Sequence, residues 1–142
     1  MKRIAILNGP NLNLLGTREP EVYGQRSLKE LEAEWVAFGQ THGVEITCVQ
    51  SNVEGELIDA IQAHGFDADA ILINPGGYTH TSVAIRDAIA AVDAPVYEIH
   101  ISHPDAREEF RKTSLVREVS AGGVSGLGVQ GYMAVLESLI TG

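Results

Sequence analysis

The residues best equipped for chemistry in this chain cluster between Pro95 and Arg111, PVYEIHISHPDAREEFR. The first part reads as a buried strand and the second as a helix carrying two arginines. Alternate side chains of a strand share a face, so Glu98 and His100 point the same way. There the carboxylate can accept a hydrogen bond from the imidazole and favour its charged form. His100 is then a candidate general acid near neutral pH. Ser102 and His103 stand where the strand gives out, and Pro104 suits the first turn of a helix, whose exposed N–H groups favour an anion. Arg107 and Arg111, at i and i+4, share a face of that helix. An acid beside an anion clamp suits a small carboxylate substrate. The same residues would equally make a satisfied core histidine and a solvated charged helix, so the decision falls to the rest of the chain.

A second set lies near the N-terminus. Asn11 to Glu21 is a polar connection, long for a compact domain, with Arg18, Tyr23 and Arg26 in or just after it; a lid over about residues 17–26 is expected. A free phenol titrates near 10, so Tyr23 serves as a base at neutral pH only where positive charge stabilises its phenolate. Arg18 and Arg107 are the candidates to supply that charge on lid closure. Without it, Tyr23 is a packing residue.

The elements that must position these groups follow from apolar periodicity. Arg3 to Asn8 is a short apolar run stopped by Gly9-Pro10, as in a strand buried on both faces. Ser27-Leu28-Lys29-Glu30 has a capping-box pattern, and Leu28, Leu31, Trp35 and Phe38 continue at helical spacing to His42-Gly43. Val44 to Gln50 alternates as a strand; Ser51 to Glu54 caps a helix with Leu57, Ile58 and Ile61 inward, ending at His64-Gly65. Ala70 to Asn74 is a buried strand before Pro75-Gly76-Gly77, and a helix from about Ser82 to Val92 buries Val83, Ala84 and Ile85 variously with Ala88, Ile89 and Val92. After the strand and helix of Pro95 to Arg111 come a fifth strand between Val116 and Ser125 and a last helix from about Leu127 to Ile140.

Strands alternating with helices imply one α/β domain over residues 1–142, with a parallel sheet covered on both faces. The commonest five-stranded arrangement is flavodoxin-like, order 2-1-3-4-5, which makes the first, third and fourth strands neighbours. Polar clusters fall just after those strands: Asn8, Asn11 and Asn13; Asn74, Tyr78 and His80; His100 and Ser102. Ligands bind beyond the carboxyl ends of such strands where their order reverses, so the three stretches converge on one crevice.

Composition narrows the function classes. A net charge of −9 argues against a nucleic-acid or anionic-membrane binder, whose affinity rests on clustered Lys and Arg. There is no apolar run of membrane-spanning length and no signal-like start, so a cytoplasmic location is expected. The single Cys48 alternates with Val44 and Ile46 and reads as core rather than nucleophile. Gly126 to Gly131 matches G-x-G-x-x-G, but the dinucleotide pattern requires a further strand bearing an acid about 20 residues on. Close packing of the last helix is expected instead. His80, His100 and His103 with Glu98 lack metal-ligand spacing. A phosphoacceptor site would need acids where Asn8 and Asn74 stand, and Schiff-base chemistry a buried lysine in place of the exposed Lys2, Lys29 and Lys112.

Five blocks together resemble the type II 3-dehydroquinate dehydratases: LNGPNLNLLGTREPEVYG (Leu7 to Gly24), SNVEGELID (Ser51 to Asp59), INPGGYTHTSVAIRDA (Ile73 to Ala88), EIHISHPDAREEFRKTS (Glu98 to Ser114) and GLGVQGY (Gly126 to Tyr132). The resemblance implies a flavodoxin-like fold, a dodecamer built from trimers, no metal or organic cofactor, and an anti elimination of water from 3-dehydroquinate to 3-dehydroshikimate through an enolate. By the same resemblance Tyr23 removes the proton alpha to the ketone with Arg18 keeping it ionised, Asn11 positions a water on the enolate oxygen, and His100, oriented by Glu98, protonates the departing hydroxyl. Asn74, His80 and Arg111 would hold substrate hydroxyls, Ile101 and Ser102 its carboxylate, and Asp87 would reach a neighbouring subunit's site. His103, Leu115 and Val53 depart from residues common in the family, at positions without a catalytic role. The rivals are a catalytically silent flavodoxin-like binder of a polyhydroxy acid and a lyase or isomerase for another cyclic hydroxy-ketone.

Overall fold

The computed structural model describes residues 1–17, 26–103 and 107–142. Its centre is a parallel sheet of β1 (Arg3–Asn8), β2 (Glu45–Gln50), β3 (Ala70–Asn74), β4 (Val96–His100) and β5 (Gly122–Ser125), in the order β2-β1-β3-β4-β5. Among the described residues, four α-helices cover it: α1 (Leu28–Thr41), α2 (Glu54–His64), α3 (Val83–Ala91) and α4 (Gln130–Thr141). This is the expected flavodoxin-like arrangement, and it follows from the two-residue period of the strands. Ile4 and Ile6 of β1 and Leu72 of β3 meet α1 and α4 through Leu31, Trp35, Tyr132 and Leu136. Ala5 and Leu7, with Ile71 and Ile73, face the other way onto Leu57 and Ile61 of α2 and Ile85 and Ile89 of α3.

Local signals place most helix ends. Ser27 caps α1 by accepting from the Glu30 amide and donating to its carboxylate, and Gly43 ends the connection with a φ of 72°. Ser82 caps α3 by accepting from Ile85. At α2 the N-cap is Val53, with no side-chain cap; Ser51 instead accepts from the Val53 amide and donates to Glu56. Ile58 is only partly buried, and Val83 and Ala84 lie exposed while Ile85 is fully buried, because only one stripe of so short a helix can meet the sheet.

The largest departure follows β4. The expected helix bearing both arginines is a short 3-10 turn, Glu109–Lys112, with Arg107 ahead of it; Pro104 lies outside the described residues. Tertiary hydrogen bonds explain the change. The Leu115 amide donates to the Thr79 carbonyl at 2.8 Å and Ser114 donates to buried Glu98, which draws the chain inward where another helical turn would carry it away. The fifth strand is likewise shorter than expected, and Val116 belongs to the core under α3 rather than to the strand.

Candidate active site

The carboxyl ends of β1, β3 and β4 meet at a crevice of about 140 Å³. Asn11 lines it from β1, Asn74 and His80 from β3, and His100, Ile101, Ser102, Arg107 and Arg111 from β4 and the segment beyond. Stretches far apart in sequence thus converge because the sheet order makes their strands neighbours.

Glu98 and His100 share the sheet face of α2 and α3, as the strand period requires. His100 Nε2 donates to Glu98 Oε2 at 2.5 Å, which leaves Nδ1 as the nitrogen with a proton to give when the ring is charged. The same carboxylate oxygen accepts from Thr79 Oγ1 at 2.5 Å and from Ser114 Oγ at 2.8 Å. Burial pushes the Glu98 carboxyl up. The hydrogen bond and charge of His100, with the bonds from Thr79 and Ser114, outweigh it and hold the group at about 2.

Asn8 and Asn74 stand on the opposite face, under α4. Tyr132 donates to Asn8 Oδ1 at 2.5 Å and accepts from Asn74 Nδ2 at 2.9 Å, while Asn74 Oδ1 accepts from the Gly76 amide at 3.1 Å. The amide of Asn74 is therefore fixed in one orientation. Asn8, fully buried, does not line the crevice; its Nδ2 has no partner among the described residues. Asn11 has left-handed backbone, φ 71°, a conformation that asparagine tolerates, and its amide donates to Asn52 Oδ1 at 2.9 Å. Gln50 braces the same loop by donating to the Gly9 carbonyl and to Asn52.

His80 Nδ1 donates to the Thr113 carbonyl at 2.6 Å, so Nε2 is left for the crevice. Arg111 pairs with Glu108 and lies 4.9 Å over the Phe110 ring, and Arg107 approaches the same carboxylate at 4.0 Å. Two cations thus face the crevice despite the acidic chain as a whole.

Other candidates lie elsewhere. Asn13 is exposed, and Tyr78 donates to the Asn52 carbonyl away from the crevice lining. Asp87 sits exposed on α3, 3.4 Å from Arg86. His103 contacts Ser125 at 3.2 Å and lines a separate hollow beyond β5 with Glu98, His100 and Arg117. Val53 is exposed and Leu115 contributes its amide to Thr79. Arg18, Tyr23 and most of the segment expected to form a lid lie outside the described residues, while Arg26 pairs with Glu34. Burial pushes the Cys48 thiol up to about 12, which suits its expected place beside the core. Gly131 is the tight glycine of the G-x-G-x-x-G run: a Cβ there would lie 3.1 Å from Val124.

Sequence reasoning passed over Thr79, Ser114, Tyr132 and Asn52. The first three bond across the fold to partners remote in sequence, and nothing local distinguishes them. Asn52, beside Gln50 at the end of β2, carried a signal in its strand-end polarity.

A parallel 2-1-3-4-5 sheet with a buried imidazole–carboxylate pair, two arginines and an oriented amide at its carboxyl end defines a flavodoxin-like α/β enzyme suited to acid–base chemistry on a small anion. Within that class the chain belongs to the dehydroquinase class II family, whose model matches residues 2–140. A 3-dehydroquinate dehydratase of Variovorax paradoxus is 50% identical over 145 residues, covering 99% of this chain and 99% of the relative. One from Ruegeria pomeroyi is 49% identical over 139 residues, covering 98% and 93%. The crystal structure of the type II dehydroquinase from Butyrivibrio crossotus superposes with a TM-score of 0.93 at 43% identity, over 97% of each chain.

Proposed function

We propose that this chain is a 3-dehydroquinate dehydratase in which two groups on opposite sides of one bound ring carry out the elimination. Tyr23, as phenolate, takes the proton from the carbon alpha to the ketone, and the electron pair moves to the carbonyl oxygen as an enolate. Arg18 keeps the phenolate charged, and Asn11 positions a water that stabilises the enolate oxygen. The enolate then collapses to form the carbon–carbon double bond. The bond to the beta hydroxyl breaks as His100 Nδ1 gives it a proton, and water leaves. Asn74, His80 and Arg111 hold substrate hydroxyls, Ile101 and Ser102 the carboxylate, and Arg107 adds positive potential. The family likeness and the Glu98–His100 bond at the crevice wall carry this reading.

Assembly into a dodecamer of trimers, with Asp87 reaching a neighbour's site, and a cytoplasmic location belong to the same proposal. Exposure of Asp87 outside its own crevice is consistent with such a role.

Purified protein given 3-dehydroquinate in the presence of EDTA is expected to produce a conjugated enone, followed as rising near-ultraviolet absorbance. Substrate binding with a flat trace would instead select the silent binder. Tyr23→Phe is expected to lower turnover by at least about 10²-fold with little loss of substrate affinity. Retention of most activity would remove the phenol from its role as base.

A further inference from the structure

We infer that Thr79 and Ser114 are positioning residues for the acid, clamping the Glu98 carboxylate so that His100 is held for proton delivery. Three donors from three segments converge on one buried oxygen. Thr79 comes from the turn after β3, Ser114 from the segment after the arginines, and His100 from β4 itself. The two hydroxyls also lie 2.8 Å from each other, so the clamp is a closed cluster rather than two independent contacts. Thr79 is fully buried, and Ser114, Glu98 and His100 are nearly so, which shields every bond in the cluster from water.

Two consequences follow. A carboxylate accepting three hydrogen bonds is held in place, and the imidazole bonded to it through Nε2 is held with it at the crevice wall. Two of those bonds also spread the carboxylate's charge over neutral hydroxyls, so the field that the imidazole meets is set by the hydroxyls as well as by the carboxylate. Ser114 further ties this arrangement to the arginine-bearing segment, whose return to the sheet is fixed by the Leu115 amide on the Thr79 carbonyl. Among the described residues, the other ionisable groups lining the hollows beside the pair are His80, Arg107 and Arg111 on the crevice side and His103 and Arg117 on the side of β5. Glu108 partly offsets the two crevice arginines.

The inference rests on His100 as the acid, and the experiment separates the two. Thr79→Val, Ser114→Ala and Thr79→Ser are compared with wild type by kcat, KM and the pH profile of kcat, with melting temperatures for each. Removing one hydroxyl is expected to lower kcat about tenfold at neutral pH, in keeping with a hydrogen bond to a charged group, with KM changed less than about twofold. The basic limb of the kcat profile is expected to move to higher pH, and Thr79→Ser to restore both limb and rate. A merely structural role would lower the melting temperature without moving the limb. If Thr79→Val does not fold, Ser114→Ala reads the same limb. An unmoved limb in the folded variants overturns the clamp. Substantial turnover in His100→Ala would overturn the acid assignment instead; an inactive His100→Ala beside wild-type behaviour of the Thr79 and Ser114 variants would sink the clamp alone.

Discussion

At Glu98 a charge that burial disfavours is retained because His100, Thr79 and Ser114 all donate to it. Its carboxyl sits at about 2 against an ordinary value of 4.5, so the folded state binds the ionised form preferentially. A depressed carboxyl stabilises the fold above its unfolded value, and that contribution is lost as pH falls from about 4.5 through about 2. Glu98→Gln is therefore expected to be less stable than wild type at pH 7 and to close most of that gap between pH 4.5 and 2, as read by denaturant unfolding at each pH. A gap that stays constant across the window would mean that the carboxylate's charge does not matter. His80 illustrates the complementary device: donation from Nδ1 to a backbone carbonyl leaves its second nitrogen for the crevice, with no carboxylate among the described residues paired to the ring.

At the scale of elements, the crevice exists because two strand-end loops approach within backbone contact. A Cβ at Gly9 would sit 2.6 Å from the Pro75 carbonyl oxygen, and Gly76, with φ 62°, turns the second loop over Pro10. These glycines set the spacing between Asn11 and Asn74. Gly9→Ala is expected to destabilise the chain by roughly 1–3 kcal/mol through overpacking and to raise KM for dehydroquinate several-fold, because it forces the loops apart. Steady-state kinetics and denaturant unfolding check both effects; wild-type KM would show that the contact does not control the crevice. The segment after β4 makes the converse point. Arg111 reaches the crevice on a 3-10 turn tethered by Ser114 and Leu115, with Arg107 just ahead of it, and helical spacing has no part in either placement.

Across the whole molecule, the core on each sheet face serves a different half of the site. The face under α2 and α3 carries Glu98 and His100, and that under α1 and α4 carries Asn8 and Asn74. Trp35 of α1 stacks on Tyr132 at 4.4 Å, and Tyr132 in turn holds both asparagines, so packing energy and amide orientation are joined in one contact. Burial pushes the Tyr132 phenol well above its ordinary range, which keeps it a neutral hydrogen-bonding group. Trp35→Ala is expected to cost roughly 3–5 kcal/mol of stability and also to raise KM, by freeing Tyr132 from its seat. Denaturant unfolding and kinetics on the same sample test the pair of effects; a stability loss with unchanged KM would uncouple them.

By itself the sequence determined what depends on neighbours along the chain. Apolar runs stopped by Gly and Pro placed β1 and β3, helical periods placed α1 and α3, and alternation put Glu98 and His100 on one face, since side-chain direction follows from local backbone geometry. Strand-end polarity, with the order such units favour, located the crevice. Only the tertiary structure decided the conformation of the arginine segment, the third and fourth members of the Glu98 cluster, and the seat of Asn74 on Tyr132. Each depends on hydrogen bonds between groups 16 to 58 residues apart. Their worth comes from burial in the assembled core, and no local pattern encodes that environment.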